Sequence, residues 1–189
     1  MKVNVKSLSG SWKHGHALDK HIVSSTYIGD NEQGHPQFDT VRTDVGEATF
    51  QLKYRHDWSQ VAPLAKAVVA HGIPSAGRIS AVVPMPASTV RARQPVTEVA
   101  TAVARILNVP LLSILVKAPT PQLKNVKTFT EKEAILRGTI TAAPAKGGPH
   151  HVLLIDDLFH TGASMEAAYE ALMARPEIDR VTVVALTWR

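Results

Sequence analysis

The sequence predicts an α/β domain: a central, mainly parallel sheet with helices on both faces, plus a small N-terminal β-containing hood. Two patterns predict it. The segments ISAVV (79–83), LLSILV (111–116), VLLI (152–155) and VTVVAL (181–186) are almost entirely apolar, as strands covered on both faces are. Between them run stretches whose apolar residues recur at helical spacing, and strand–helix alternation implies parallel strands. A chain of 189 residues that is 44% hydrophobic has the material for one such domain, not two.

The expected boundary falls between a hood over residues 1–45 and a core domain over 46–189. In the hood, HIVSSTYIG and QFDTV flank the turn-forming DNEQGHP, which reads as a hairpin, with Trp12 a candidate anchor for it. His14, His16, Asp19 and His21 are metal-capable residue types at close spacing; a polar surface, or a cover over the site, is the plainer alternative.

Residues 48–54 alternate like a strand, yet Val45, Ala48 and Leu52 also fit a helical stripe, so their type stays open. Asp57 and Gln60 then open a helix along Val61, Leu64, Ala65, Val68 and Val69 that Gly72 stops. Pro95 opens the next helix, with Val96, Val99, Ala100, Val103 and Leu107 on one face. Residues 117–130 read as a long excursion around Pro119 and Pro121, after which Thr130 and Glu133 cap a short helix ending near Gly138. His150 and His151 close a Gly-rich loop with no specific role expected. A final helix turns Met165, Ala168, Leu172 and Met173 inward.

Composition removes several chemistries. The absence of cysteine excludes disulfides, thiolate zinc sites and a cysteine nucleophile. No apolar run approaches the roughly 20 residues of a membrane span, and the opening residues lack a signal peptide's apolar segment, so a cytoplasmic protein without a membrane partner is expected. The net charge of +5 favours anionic partners. Lys53/Arg55, Arg91/Arg93 and Lys124/Lys127 are separate short pairs, which fits a small polyanion at least as well as a nucleic-acid track.

The chemistry concentrates after residue 155. The strand 152–155 delivers Asp156 and Asp157 to the carboxyl edge of the sheet, where two adjacent carboxylates can grip vicinal hydroxyls or a magnesium ion. His160, Thr161, Gly162, Ala163 and Ser164 then form a tight loop at a helix N-terminus, with backbone N–H groups and two hydroxyls available to an anion. An acidic pair can also merely cap a turn. A Walker B strand is a further reading, but the chain contains no G-x-x-x-x-G-K-[ST].

The block VLLIDDLFHTGAS resembles the signature of type I phosphoribosyltransferases that binds 5-phosphoribosyl 1-diphosphate (PRPP). From about residue 82 onward, with VVPMPAS and PTPQLKNVKTFTEKEAILRGTI, the chain resembles the ComF-like (amidophosphoribosyltransferase-like) branch of that family, and LKYRHD (52–57) extends the likeness more weakly upstream. The cysteine zinc ribbon that often precedes such domains is missing.

The resemblance implies the type I fold, PRPP as ligand, magnesium, and transfer of ribose 5-phosphate to a nitrogen acceptor with release of diphosphate. It assigns Asp156 and Asp157 to catalysis, the ribose hydroxyls and the metal, and residues 160–164 to the 5-phosphate. Met85, Pro86, Ala87 and Ser88 fall to the diphosphate, with Arg91 and Arg93 just beyond. Lys124 or Lys127 supplies charge to the leaving group from a closing loop. The alternative is a non-catalytic PRPP or nucleotide sensor associated with nucleic acid. A second copy of the chain stays open as a partner.

Overall fold

The central sheet has five strands in the order β1-β2-β9-β8-β5: β1 (Lys6–Ser7), β2 (His14–Lys20), β9 (Ile178–Trp188), β8 (His150–Phe159) and β5 (Ala81–Pro84). The computed structural model describes residues 1–73, 76–89, 91–118 and 139–189. Only β1 is antiparallel; β2, β9, β8 and β5 run parallel.

Alternation along the strands builds two cores. Val152 and Leu154 of β8, with Val181 and Val183 of β9, pack toward α4 (Ala163–Met173). Leu153 and Ile155, with Val184 and Leu186, pack toward α1 (Asp44–Tyr54), α2 (Val61–Ala67) and α3 (Pro95–Leu107). Successive strand residues point to opposite faces, so an unbroken apolar run is what a sheet sandwiched by helices requires. Each fully buried Leu or Val contributes about 1.5–3 kcal/mol.

The ambiguity at 48–54 resolves as helix. Thr43 caps α1 by accepting from the Gly46 N–H at 2.9 Å, and its hydroxyl donates to Lys20 O at 2.6 Å. The cap fixes the helical phase that buries Val45, Ala48 and Leu52. At the next start, Asp57 accepts from Ser59 N at 3.0 Å and from Gln60 Nε2 at 2.8 Å, opening a 3₁₀ turn (Trp58–Gln60) ahead of α2. A π turn, Val68–Gly72, closes that segment.

Several expectations need correction. Within the expected hood, β1 and β2 belong to the central sheet, with Ala17 and Leu18 fully buried, whereas β3 (Ile22–Asp30) and β4 (Pro36–Arg42) pair as a separate two-stranded hairpin. Trp12 anchors the core rather than the hairpin. Its ring meets Phe159 and Tyr169 edge-on and its Nε1 donates to Leu8 O at 2.9 Å.

The run 111–116 is not one strand. Leu111 makes a single parallel bridge to Val82, and β6 (Leu115–Lys117) pairs antiparallel with β7 (Ile140–Ala142) in a separate ribbon. There β7 offers residues 115–117 a partner that the central sheet does not. Met173 is 38% exposed, because the stripe through Met165, Ala168 and Leu172 leaves it off the buried face.

His151 does have a role: it is buried, with Nε2 2.9 Å from Thr182 Oγ1, and burial, then Arg180, lowers its pKa. The metal-capable cluster is dispersed. His14 and His16 face one side of β2 and Asp19 the other, and no group of three or more such ligands gathers among the described residues. The expected helix before Gly138, Lys124 and Lys127 lie outside the described residues. Among those described, no helix is long and apolar enough to cross a membrane.

Candidate active site

Unequal strand lengths open the site. β5 ends at Pro84, opposite Ile155, and the Met85 N–H makes the last link to Ile155 O at 2.8 Å. Pro86 has no N–H with which to continue the ladder. On its other side β8 keeps pairing with β9 as far as Phe159↔Trp188. The strand thus runs four residues past the expected end at 155, and Asp156 and Asp157 lie within it, beside a gap that β5 has vacated.

A cavity of about 300 Å³ fills that gap. Both acids line it, together with Met85, Pro86, Ala87 and Ser88 of the loop after β5, and with Arg91. A smaller cavity of about 90 Å³ is lined by His160, Thr161, Gly162, Ala163 and Ser164. Asp156, Leu158 and Ser164 border both. The expected site residues that are described, Arg93 aside, are therefore brought together around two adjoining spaces. Arg93 is engaged elsewhere, bonded to Glu98 at 2.8 Å and stacked over Trp58.

The loop at 160–164 keeps donors in reserve. Gly162 has φ +84°, and its carbonyl accepts from Glu166 N at 2.8 Å to start α4. The Ala163 N–H reaches Thr161 Oγ1 only at 3.5 Å. The N–H groups of Thr161, Gly162, Ser164 and Met165 have no protein acceptor among the described residues. Free N–H groups at a helix N-terminus attract anions.

Two cations that the sequence reading did not assign also reach the larger cavity. Lys53, in the last turn of α1, places Nζ 2.6 Å from Asp157 Oδ2. Lys117, at the end of β6, donates to Ser88 Oγ at 2.8 Å. Arg91 donates to the Lys53 carbonyl at 3.1 Å, tying the loop to α1. The charge pair Lys53/Arg55 was visible in the sequence, but with α1 unassigned nothing directed Lys53 toward Asp157.

Neighbouring acids thus acquire different characters. Burial, then repulsion from Asp157, pushes Asp156 up to about 7, while the Asp157 N–H, Lys53 and Lys117 pull the other way. Burial works against the charge on Lys53, but attraction and hydrogen bonding to Asp157 prevail and its pKa is raised. Asp156 Oδ1 accepts from Asp157 N at 2.8 Å. Two carboxylates with one already paired to an ammonium make only a weak metal site by themselves. They suit a magnesium ion that brings phosphate oxygens with it, since magnesium commonly takes one or two carboxylates plus substrate phosphates.

No family model matches the chain, and no curated protein does. Among solved structures it is similar to adenine phosphoribosyltransferase from Leishmania tarentolae, at 12% identity and a TM-score of 0.47, over 86% of this chain and 83% of that one. It is similar to UMP synthase from Leishmania donovani at 19% identity and a TM-score of 0.42, over 87% of this chain and 29% of that one, so it spans less than a third of that protein. A hypothetical protein from Neisseria gonorrhoeae with bound ppGpp is matched at 15% identity and a TM-score of 0.42, over 68% of this chain and 66% of that one. At such identities and scores these likenesses carry no residue-level reading, and the chemistry of the site rests on its own groups.

Proposed function

We propose that this protein is a type I phosphoribosyltransferase that binds PRPP across the two adjoining cavities and transfers its ribose 5-phosphate to a nitrogen acceptor. The observation that carries the reading is the shared border of Asp156, Leu158 and Ser164. A ligand with an anion at each end and hydroxyls in the middle fits that layout. Loop 160–164 takes the 5-phosphate on its open N–H groups. Asp156 and Asp157 take the ribose hydroxyls, and the space beside residues 85–88, Arg91, Lys53 and Lys117 takes the diphosphate.

In the reaction the bond from the anomeric carbon to the diphosphate oxygen breaks and its electron pair leaves with diphosphate. The acceptor nitrogen forms the new bond and gives up a proton to solvent. Carboxylates beside the ribose favour the positive charge that develops on the ring, and fixed cations favour the departing anion. Asp156 and Asp157 would be the protein's ligands to a magnesium ion, which would neutralise part of the charge on the diphosphate. Lys124 and Lys127 belong to the same reading as further cations for the leaving group. The quoted sequence blocks support a ComF-like member.

Calorimetric titration with PRPP and magnesium, alongside diphosphate release with a panel of nucleobases and amines, tests the proposal. The double variant Asp156→Asn/Asp157→Asn should lose PRPP binding while keeping its fold; unchanged affinity overturns the site. PRPP binding without diphosphate release from any acceptor, together with salt-sensitive binding of single-stranded DNA, would favour the non-catalytic alternative, which the net charge of +5 also suits.

A further inference from the structure

Lys53 stands in a chemical conflict. Its ammonium is 2.6 Å from Asp157 Oδ2, yet Asp157 lines the cavity and is one of the two acids that the proposed ligand needs. A carboxylate oxygen held by an ammonium is a poor acceptor for a sugar hydroxyl and a poor ligand for a divalent cation. We propose that Lys53 is a partner-exchanging positioning residue, which moves from Asp157 to the phosphoryl oxygens of an anion in the larger cavity and so frees Asp157 as that anion binds.

Three features support the exchange. Lys53 lines the same cavity as Asp157, so the head group has only to swing on its flexible four-carbon stem. Its backbone is pinned, because the Lys53 carbonyl accepts from Arg91 at 3.1 Å, so the swing need not move α1. The pair is partly buried, at 28% and 17% side-chain exposure, so an ammonium released without a new partner is costly and a transfer between acceptors is favoured. The other two cations are differently held: Lys117 on the Ser88 hydroxyl and Arg91 on a carbonyl. Of the three, Lys53 is the one neutralising a site acid. Anion binding and cation binding at Asp157 are then coupled, each strengthening the other by the same factor.

This inference rests on reading the larger cavity as an anion site, and the test separates the two. Wild type, Lys53→Met and Lys53→Arg are titrated calorimetrically with manganese(II) alone, and separately with inorganic diphosphate in the presence of a chelator. Removing the ammonium should move the two affinities in opposite directions. Lys53→Met should bind manganese about threefold more tightly, having lost a competitor, and diphosphate about tenfold more weakly, having lost a charged hydrogen bond. Lys53→Arg keeps a cation and should stay within about threefold of wild type for diphosphate. If Lys53→Met does not fold, Lys53→Gln serves in its place with the same pair of signs. Affinities that fall together, or do not move, or a manganese signal absent from every protein, overturn the exchange alone. Wild type that fails to bind diphosphate overturns the anion site and the exchange with it.

Discussion

The Phe159 ring occupies the space in front of Gly162: a Cβ added to that glycine would lie 2.9 Å from Phe159 Cζ. Gly162 also holds φ +84°, where L side chains are strained. The turn from β8 into α4 is thus closed by an aromatic wall on one side and a left-handed backbone on the other.

Gly162→Ala should therefore lose roughly 1–3 kcal/mol of stability and weaken binding of ribose 5-phosphate. Urea denaturation and calorimetry check both effects. A variant with unchanged midpoint and unchanged affinity would mean that the loop geometry does not matter.

Asp156 makes a pH prediction with a definite sign. Folded, it keeps its proton up to about 7, against an ordinary value of 3.8. Between those values the folded state binds more protons than the unfolded state, so the contribution of this group to stability falls as pH rises and levels off above about 7. Asp156→Asn lacks that loss. The stability of the variant relative to wild type should grow from about pH 4 to about pH 7 and then stay flat; a difference independent of pH contradicts the burial of this acid.

Deletions should separate the two parts of the first 45 residues. Replacing residues 23–41 by a short Gly-Ser linker removes only the exposed hairpin and should leave a cooperative thermal transition. Deleting residues 1–20 removes β2, with Leu18 fully buried, and should abolish that transition. The reverse outcome would mean that the hairpin carries the fold.

Lys117 and Ser88 make a further pair. Lys117→Met should weaken diphosphate binding about tenfold, as loss of a charge-assisted contact does. Ser88→Ala removes the group that holds the ammonium and should weaken it less. Equal, large losses in both variants would point to collapse of the 85–88 loop instead.

Sequence disclosed the part of the site that is contiguous. Asp156, Asp157 and the loop through Ser164 follow one another along β8 and into α4, so a single window carries strand, acids, turn and helix start. What it hid came from elsewhere in the chain. Lys53 reaches Asp157 only because Thr43 sets α1 as a helix, and that cap competes with a strand-like alternation over 48–54. β2 was concealed by its own composition: HGHALDK does not look like an interior strand. Its Gly15 makes room for the Trp12 ring, which a Cβ would strike, and His16 pairs with Gly72 O at 3.0 Å. Polar residues in an interior strand are tolerable when each finds such a partner, and that is a tertiary fact.

The adjacency of β2 and β9 carries a kinetic consequence. In the register His14↔Thr182 an early segment waits for one of the latest, and β9 lies between β2 and the acid-bearing β8. Contacts so far apart along the chain close slowly. During synthesis β2 stays an unsatisfied edge until β9 emerges, and the acids of β8 gain their rigid backing only then. Assembly of the sheet and maturation of the acid-bearing site should therefore be a single late event, visible in refolding as diphosphate binding that returns together with protection of the β9 amides.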